Sequence, residues 1–224
     1  MGAKAVNSIK KTAVFLVDDH PIVREGFAQL INKQSDFRVC GQTSTAPEAF
    51  AAIPDAAPDL VVLDIAVRGV KGIELVKEMA ARWQNLAILV LSAQDELLYA
   101  ERAIRAGAKG YIMKHAPVLE IMSAMRKAAE GKRYLSAPMQ DLLIERLAGG
   151  NENLSKPGIE RLSDREMEVF QLIATGRNSR EIAEHLHLSI KTIETYRANI
   201  KEKMKLRNGI DLMRAAVAMA AEHA

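Results

Sequence analysis

A single cysteine in 224 residues leaves no partner for an internal disulfide and no multi-cysteine metal site. That residue, Cys40, sits in the strand-like stretch Arg38-Val39-Cys40-Gly41 and reads as a small core residue rather than a nucleophile. Long apolar runs are missing too. Nothing approaches the roughly 20 residues of a membrane span, and the Ala-rich stretch 215–221 is short and only mildly apolar. Met1 to Lys11 lacks the apolar segment of a signal peptide, so a cytoplasmic protein without membrane association is expected. An excess of one sign of charge is missing as well: 31 Lys and Arg face 28 Asp and Glu for a net +3, so any basic function must be local. Internal repeats and low-complexity tracts are absent, and what is left is the composition of an ordinary globular protein with room for one large or two small domains.

Residues 12–131 alternate between short apolar runs and helix-length segments. Strands are expected at Val14–Val17, Arg38–Gly41, Leu60–Leu63, Leu86–Leu91 and Gly110–Met113, with helices near 21–33, 46–53, 72–83, 95–106 and 117–130. Pro21 suits a first helical turn, and Gly107 and Gly131 suit helix exits. Five β-α units imply a parallel sheet with helices on both faces, since right-handed crossovers put them there.

Polar residues stand where the apolar runs end. Asp18 and Asp19 follow the first, Asp64 the third, Ser92 the fourth and Lys114 the fifth. Each alone has an ordinary explanation as a turn acid, a cap or a solvated charge. Together, at four strand ends, they converge, because chemistry in parallel sheets gathers outside the carboxyl ends of the strands. Three crowded carboxylates repel unless a hard cation such as Mg²⁺ joins them, and a hydroxyl and an ammonium beside it suit a phosphoryl group.

Leu16-Val17-Asp18-Asp19-His20, Leu63-Asp64-Ile65, Leu91-Ser92-Ala93 and Gly107-Ala108-Lys109-Gly110-Tyr111-Ile112-Met113-Lys114 resemble the receiver domain of bacterial two-component response regulators. The resemblance implies a five-stranded parallel, flavodoxin-like fold and assigns roles. Asp64 would accept a phosphoryl group from a sensor histidine kinase. Asp18, Asp19, Asp64 and the carbonyl of Ala66 would hold Mg²⁺. Lys114 would pair with phosphoryl oxygens, Ser92 would hydrogen-bond one of them, and Tyr111 would be the aromatic switch whose ring enters space that Ser92 vacates. Two departures stand out: Arg68 occupies the place of the usual proline, putting a long cation near the site mouth, and His115 follows Lys114.

Beyond residue 160 no strand pattern remains. Ser136 could cap a helix over Met139–Leu147, and Gly149-Gly150-Asn151-Glu152-Asn153 with Pro157-Gly158 reads as a flexible connection. Ser163 with Glu166 and Asn178 with Glu181 are capping-box patterns, and Ser189 can cap the next helix. Gly176-Arg177-Asn178-Ser179-Arg180-Glu181-Ile182-Ala183 and Leu188-Ser189-Ile190-Lys191-Thr192-Ile193-Glu194-Thr195-Tyr196 resemble the LuxR-type helix-turn-helix, which with a receiver marks the NarL/FixJ subfamily. Asn178-Ser179 reverses the order frequent in that family.

The segment makes sense as a reader of double-stranded DNA. Ile182, Ala183 and Leu186 give one helix an apolar stripe, and Ile193, Ile200 and Met204 give the next one. Lys191, Arg197, Lys201, Lys203, Lys205 and Arg207 outnumber Glu194 and Glu202, a local excess suited to phosphates. Glu194 and Thr195 are the expected base readers, with Lys191, Thr192 and Arg197 on phosphates. Leu212, Met213, Ala216 and Met219 stripe the final helix, which in this family commonly forms a dimer contact; packing within the domain accounts for the same stripe.

The expected protein is therefore a receiver over 12–131, a connector with a helix over 132–160 and a helix-turn-helix domain over 161–224. Its expected work is phosphorylation-controlled transcription regulation, as a homodimer when active. The alternative is a phosphorylation-independent DNA-binding regulator whose receiver is a dimerisation scaffold. An enzyme is not expected: an aspartate-nucleophile phosphohydrolase wants a second acid two residues after the nucleophile, where this chain has Ala66.

Overall fold

Four consecutive residues with no polar atom in their side chains, Leu60-Val61-Val62-Leu63, form the central strand of the sheet, each of them buried. A computed structural model describes residues 11–67, 72–148 and 158–222; Arg68 and the glycine-rich connector lie outside the described residues. The chain divides into two compact units, Met1–Ser136 and Ala137–Ala224.

In the first unit the strands β1 (Thr12–Val17), β2 (Phe37–Thr43), β3 (Leu60–Leu63), β4 (Ala87–Ser92) and β5 (Gly110–Met113) form one sheet in the order β2-β1-β3-β4-β5. All pairings are parallel. The helices α1 (Pro21–Asn32), α2 (Ala46–Ala56), α3 (Gly72–Arg82), α4 (Glu96–Ala106) and α5 (Val118–Ala129) alternate with them. Because strand side chains alternate between faces, Val14, Leu16, Leu60, Val62, Leu89, Leu91 and Ile112 share a core with α1 and α5. The opposite face, with Val61, Leu63, Ile88 and Val90 fully buried, is sealed by α2, α3 and α4.

Two details depart from the sequence expectation. The edge strand β2 runs to Thr43 rather than Gly41 and carries a bulge. Val14 pairs with Val39 and Phe15 with Gly41, so Cys40 is the extra residue, and its thiol donates to the Val14 carbonyl. Gly41 is required because a Cβ there would lie 2.4 Å from the Phe15 ring. Helix α2 continues three residues past Ile53, through Pro54, before Ala57 turns into the left-handed region at φ 41°.

The second unit is helical. It contains α6 (Ala137–Ala148), a 3-10 turn over Gly158–Arg161, α7 (Asp164–Ala174), α8 (Ser179–Leu186), α9 (Ile190–Lys203) and α10 (Gly209–Glu222). Ser163 and Asn178 form complete capping boxes with Glu166 and Glu181. Ser189 accepts from the Thr192 amide and caps α9. Phe170, Ile173, Ile182, Ile193, Ile200 and Leu212 are fully buried, and α7 packs on α9 and α10. Leu212, Ala216 and Met219 turn inward onto this core, and Met213 of the same stripe is half-buried. Ile210 and Val217 remain exposed on the same helix.

Candidate functional site

The backbone ladder of the sheet continues into the residues that carry the chemistry. The Asp18 amide donates to Thr43, the Asp64 amide to Val17 and the Lys114 amide to Ser92, each a strand-type bond one residue past a strand. The acids and the lysine are thereby fixed on the rigid end of the sheet, beside the crevice where the strand order reverses between β1 and β3.

Asp64 lies at the centre. It is 2% exposed. Its Oδ1 accepts from the Ser92 hydroxyl at 3.0 Å and from the Ala66 amide at 2.9 Å, and its Oδ2 accepts from Lys114 Nζ at 2.6 Å. The same ammonium reaches Asp18 Oδ2, also at 2.6 Å. Burial alone would pull the Lys114 pKa down, but hydrogen bonds and charge from Asp18 and Asp64 outweigh it and hold the pKa above its ordinary value. The strand-end residues Asp18, Asp64, Ser92 and Lys114 are thus in mutual contact.

Asp19 completes the acidic set. Ligand atoms of Asp18, Asp19, His20 and Asp64 lie within 4.8 Å of one another. Carboxylate oxygens dominate this donor set, which fits a hard divalent cation. His20 and Arg24 were not singled out from the sequence. The His20 amide donates to Asp18 Oδ1 at 2.8 Å, and its ring Nδ1 lies 2.9 Å from Asp19 Oδ1. Arg24, one turn into α1, donates to the Asp18 carbonyl at 2.6 Å. The one available signal was position: both lie within six residues of the acidic pair, His20 at the N-cap of α1 and Arg24 in its first turn.

Tyr111 is fully buried, and its hydroxyl donates to the Gln94 carbonyl at 2.7 Å. Burial pushes its phenol pKa far up, so it stays a donor at any ordinary pH. The Gln94 amide in turn donates to Ser92 Oγ at 3.3 Å. Ser92 rests on Asp64 with the tyrosine ring inside.

In the second unit α8 and α9 meet across the turn His187-Leu188-Ser189. His187 adopts φ 54°, and the Leu188 amide reaches back to the Ala183 carbonyl at 2.9 Å, a 6→1 closure that sets how the chain enters α9. Lys191, Glu194 and Thr195 are exposed, and Thr192 and Arg197 half-buried, along the first two turns of α9. The Thr195 hydroxyl donates to the Lys191 carbonyl and the Thr192 hydroxyl pairs with Ser189. Glu194 accepts from Ser179, the first residue of α8. Lys203 leaves the list of cations available to phosphates: its ammonium lies 2.5 Å from the buried Glu166 of α7. Burial raises the Glu166 pKa, but Lys203 and the Ser163 cap outweigh it, and the net shift is downward.

Comparison with known proteins agrees with both halves. Residues 14–126 match the response regulator receiver domain, and residues 160–216 match the bacterial regulatory proteins of the luxR family. The oxygen regulatory protein NreC of Staphylococcus carnosus (strain TM300) is 31% identical over 208 residues, 91% of this chain and 96% of that protein. RcsB of Salmonella enterica serovar Typhimurium, solved on the rprA promoter with the phosphomimetic BeF3-, is 25% identical, with a TM-score of 0.66 over 92% of this chain and 98% of that one. A LuxR-family two-component response regulator from Aurantimonas sp. SI85-9A1 is 32% identical, with a TM-score of 0.57 over 62% of this chain and 99% of its own.

Proposed function

Because the chain belongs to the two-component response regulators with a LuxR-type DNA-binding domain, and is therefore a phosphorylation-controlled transcription regulator, we propose that Asp64 is its phosphoacceptor and α9 its DNA reader. The observation that carries the first assignment is the set of partners on one buried carboxylate. Asp64 has a hydroxyl, a backbone amide and an ammonium all within 3.0 Å of its oxygens.

The chemistry follows from charge. An Asp64 oxygen attacks the phosphorus of a phosphohistidine on a sensor kinase, the P–N bond breaks, and the imidazole leaves with that electron pair. A carboxylate approaching an anionic phosphoryl group is repelled, and catalysis is chiefly positioning and neutralisation. Lys114 supplies one positive charge at the attacked site, and Ser92 and the Ala66 amide stand ready to donate to phosphoryl oxygens. Asp18, Asp19, Asp64 and the Ala66 carbonyl would hold Mg²⁺, which when bound adds the remaining positive charge. The product is an acyl phosphate on Asp64, and the protein is a substrate and switch rather than an enzyme with turnover.

On the DNA side, α9 enters the major groove with its N-terminal half toward base edges. Lys191, Thr192 and Arg197 take phosphates. Thr195, its hydroxyl held by the Lys191 carbonyl, presents its methyl to thymine, and Glu194 offers an acceptor to cytosine N4. The active form is a homodimer acting in the cytoplasm. No helix among the described residues is long and apolar enough to cross a membrane.

Intact mass after incubation with acetyl phosphate and Mg²⁺ tests the proposal, with Asp64→Asn as control. One phosphoryl adduct that needs Mg²⁺ and is lost in the variant is expected, followed by a change in DNA affinity. No adduct from acetyl phosphate or from a phosphorylated kinase would hand the protein to the phosphorylation-independent reading.

A further inference from the structure

The reversed dipeptide Asn178-Ser179 has a structural consequence on the DNA face. Asn178 takes the N-cap of α8, its Oδ1 accepting from the Arg180 and Glu181 amides at 3.0 and 3.1 Å. With the cap filled by asparagine, the serine moves to the first helical position. There its hydroxyl donates to Glu194 Oε1, across from α8 to α9. This links the scaffold helix to a side chain proposed above to read bases.

Glu194 differs from its neighbours in what it has left to offer. The protons of the Thr192 and Thr195 hydroxyls have partners in Ser189 and the Lys191 carbonyl, and what these hydroxyls have left is neutral lone pairs. Lys191 carries only donors. In the exposed first turns of α9, the Glu194 carboxylate is the charged acceptor, and a charged acceptor makes the stronger bond to a base amino group. An unrestrained glutamate is poor at this task. It has three rotatable bonds and is repelled by the phosphates that Lys191 and Arg197 attract, so it would turn away from the groove. The bond from Ser179 to one oxygen removes that freedom and leaves Oε2 as the acceptor. The positive end of α8, where Ser179 stands, further favours a carboxylate at that place.

We propose that Ser179 is a specificity-determining positioning residue: by holding Oε1 of Glu194 it aims the other oxygen at one base pair, selecting a cytosine amino group there. The inference rests on the reading of α9 as the recognition helix. Ser179 touches no base in this scheme; it acts through Glu194.

The test is binding selection with the full-length protein, phosphorylated with acetyl phosphate and Mg²⁺, on a random-sequence DNA duplex library. Wild-type protein is expected to select cytosine at one position of each half-site. Ser179→Ala is expected to reduce that preference between about twofold and tenfold, the worth of one hydrogen bond, with preferences at other positions and the salt dependence of binding unchanged. Ser179→Thr, which keeps a hydroxyl, should restore it. Glu194→Ala should erase it, and adding Ser179→Ala to that variant should change nothing more.

A uniform loss of affinity over all sequences in Ser179→Ala, or a loss of thermal stability with the preference intact, would overturn the proposal and leave Ser179 a structural residue. So would an unaltered selection profile. Wild-type protein that selects no sequence at all would instead overturn the reading of α9 on which the inference rests.

Discussion

Lys114→Met is the sharpest perturbation of the acidic site, because one ammonium neutralises two acids there. The Lys114 side chain is 13% exposed, those of Asp18 and Asp64 8% and 2%, and both contacts are 2.6 Å. A hydrogen bond to a charged group contributes about 1.5–3 kcal/mol, and removing one partner of a buried pair costs about 3–5 kcal/mol. Methionine fills the stem volume, so packing changes little and the loss is electrostatic. Near neutral pH, without divalent cation, the variant should be less stable by about 3–5 kcal/mol. The folded pKa of Lys114 lies above its ordinary 10.5, so its contribution is complete at neutral pH and is lost as pH rises from 10.5 through that raised value. Urea unfolding followed by Trp83 fluorescence is the assay. Trp83 is the sole tryptophan and stacks on Phe50 at 5.4 Å within the receiver unit. Millimolar Mg²⁺ should restore part of the loss, because the acids then have another counter-charge. Combining Lys114→Met with Asp64→Asn should cost about 2 kcal/mol less than the sum of the single changes, since the amide removes a charge that the lysine served. A cost under about 1 kcal/mol, with the two changes additive, would refute the reasoning.

Three further outcomes are expected. Tyr111→Phe keeps the ring but strips the Gln94 carbonyl of its donor; the Trp83-monitored stability should fall by about 0.5–1.5 kcal/mol. Glu166→Gln should destabilise the second unit by about 1 kcal/mol near neutral pH, a modest figure because the Lys203 side chain is 38% exposed and screened. The Glu166 pKa is depressed below 4.5, so the wild-type advantage is present above that value and disappears as pH falls through the lower one, as the second transition in far-UV ellipticity would show. Ser136→Ala removes the bond to Glu96 and should leave the phosphoryl adduct on Asp64 intact by mass while reducing the change in DNA affinity that phosphorylation brings.

The parallel core was plain in the sequence because fully buried strands leave continuous apolar runs, and β3 is the clearest case. The edge strand β2 was legible over Arg38–Gly41, but its full extent and its bulge were not. As the edge strand it has a mixed burial pattern, and its bulge at Cys40 depends on pairing with β1, which no local pattern encodes. Gly41 was visible as a glycine in a strand, but the Phe15 ring that demands it lies on another strand. Helix α2 was expected near 46–53 and runs on to Ala56, because Pro54 sits in the last turn, where a missing amide costs one bond. At the site, Asp18, Asp64, Ser92 and Lys114 were legible because the end of a strand is a place that sequence can name. Arg24 and Gln94 were not, because they act through backbone carbonyls, and the geometry of a carbonyl leaves no trace in composition. Lys203 shows the reverse error: counted with the cations of α9, it belongs to a buried acid on α7.

The contacts around Asp64 also give a physical route by which a change there can leave the site. Ser92 Oγ donates to Asp64 and accepts from the Gln94 amide, and the Gln94 carbonyl holds the Tyr111 hydroxyl. The next residue, Asp95, caps α4 through the Leu97 amide at 2.7 Å, and the one after it, Glu96, accepts from Ser136 at 2.6 Å. Ser136 is the last residue of the receiver unit. Three consecutive residues thus join the hydroxyl that rests on Asp64 to the point where the chain departs toward the second unit. A hydroxyl drawn from carboxylate to phosphoryl oxygen must take the Gln94 amide with it or lose that bond. Either response disturbs the first turn of α4, the least redundant part of a helix, whose free amides depend on Asp95 for their partner. A switch built this way needs no rearrangement of the sheet. The strands hold the chemistry still while one loop and one helix start carry the difference.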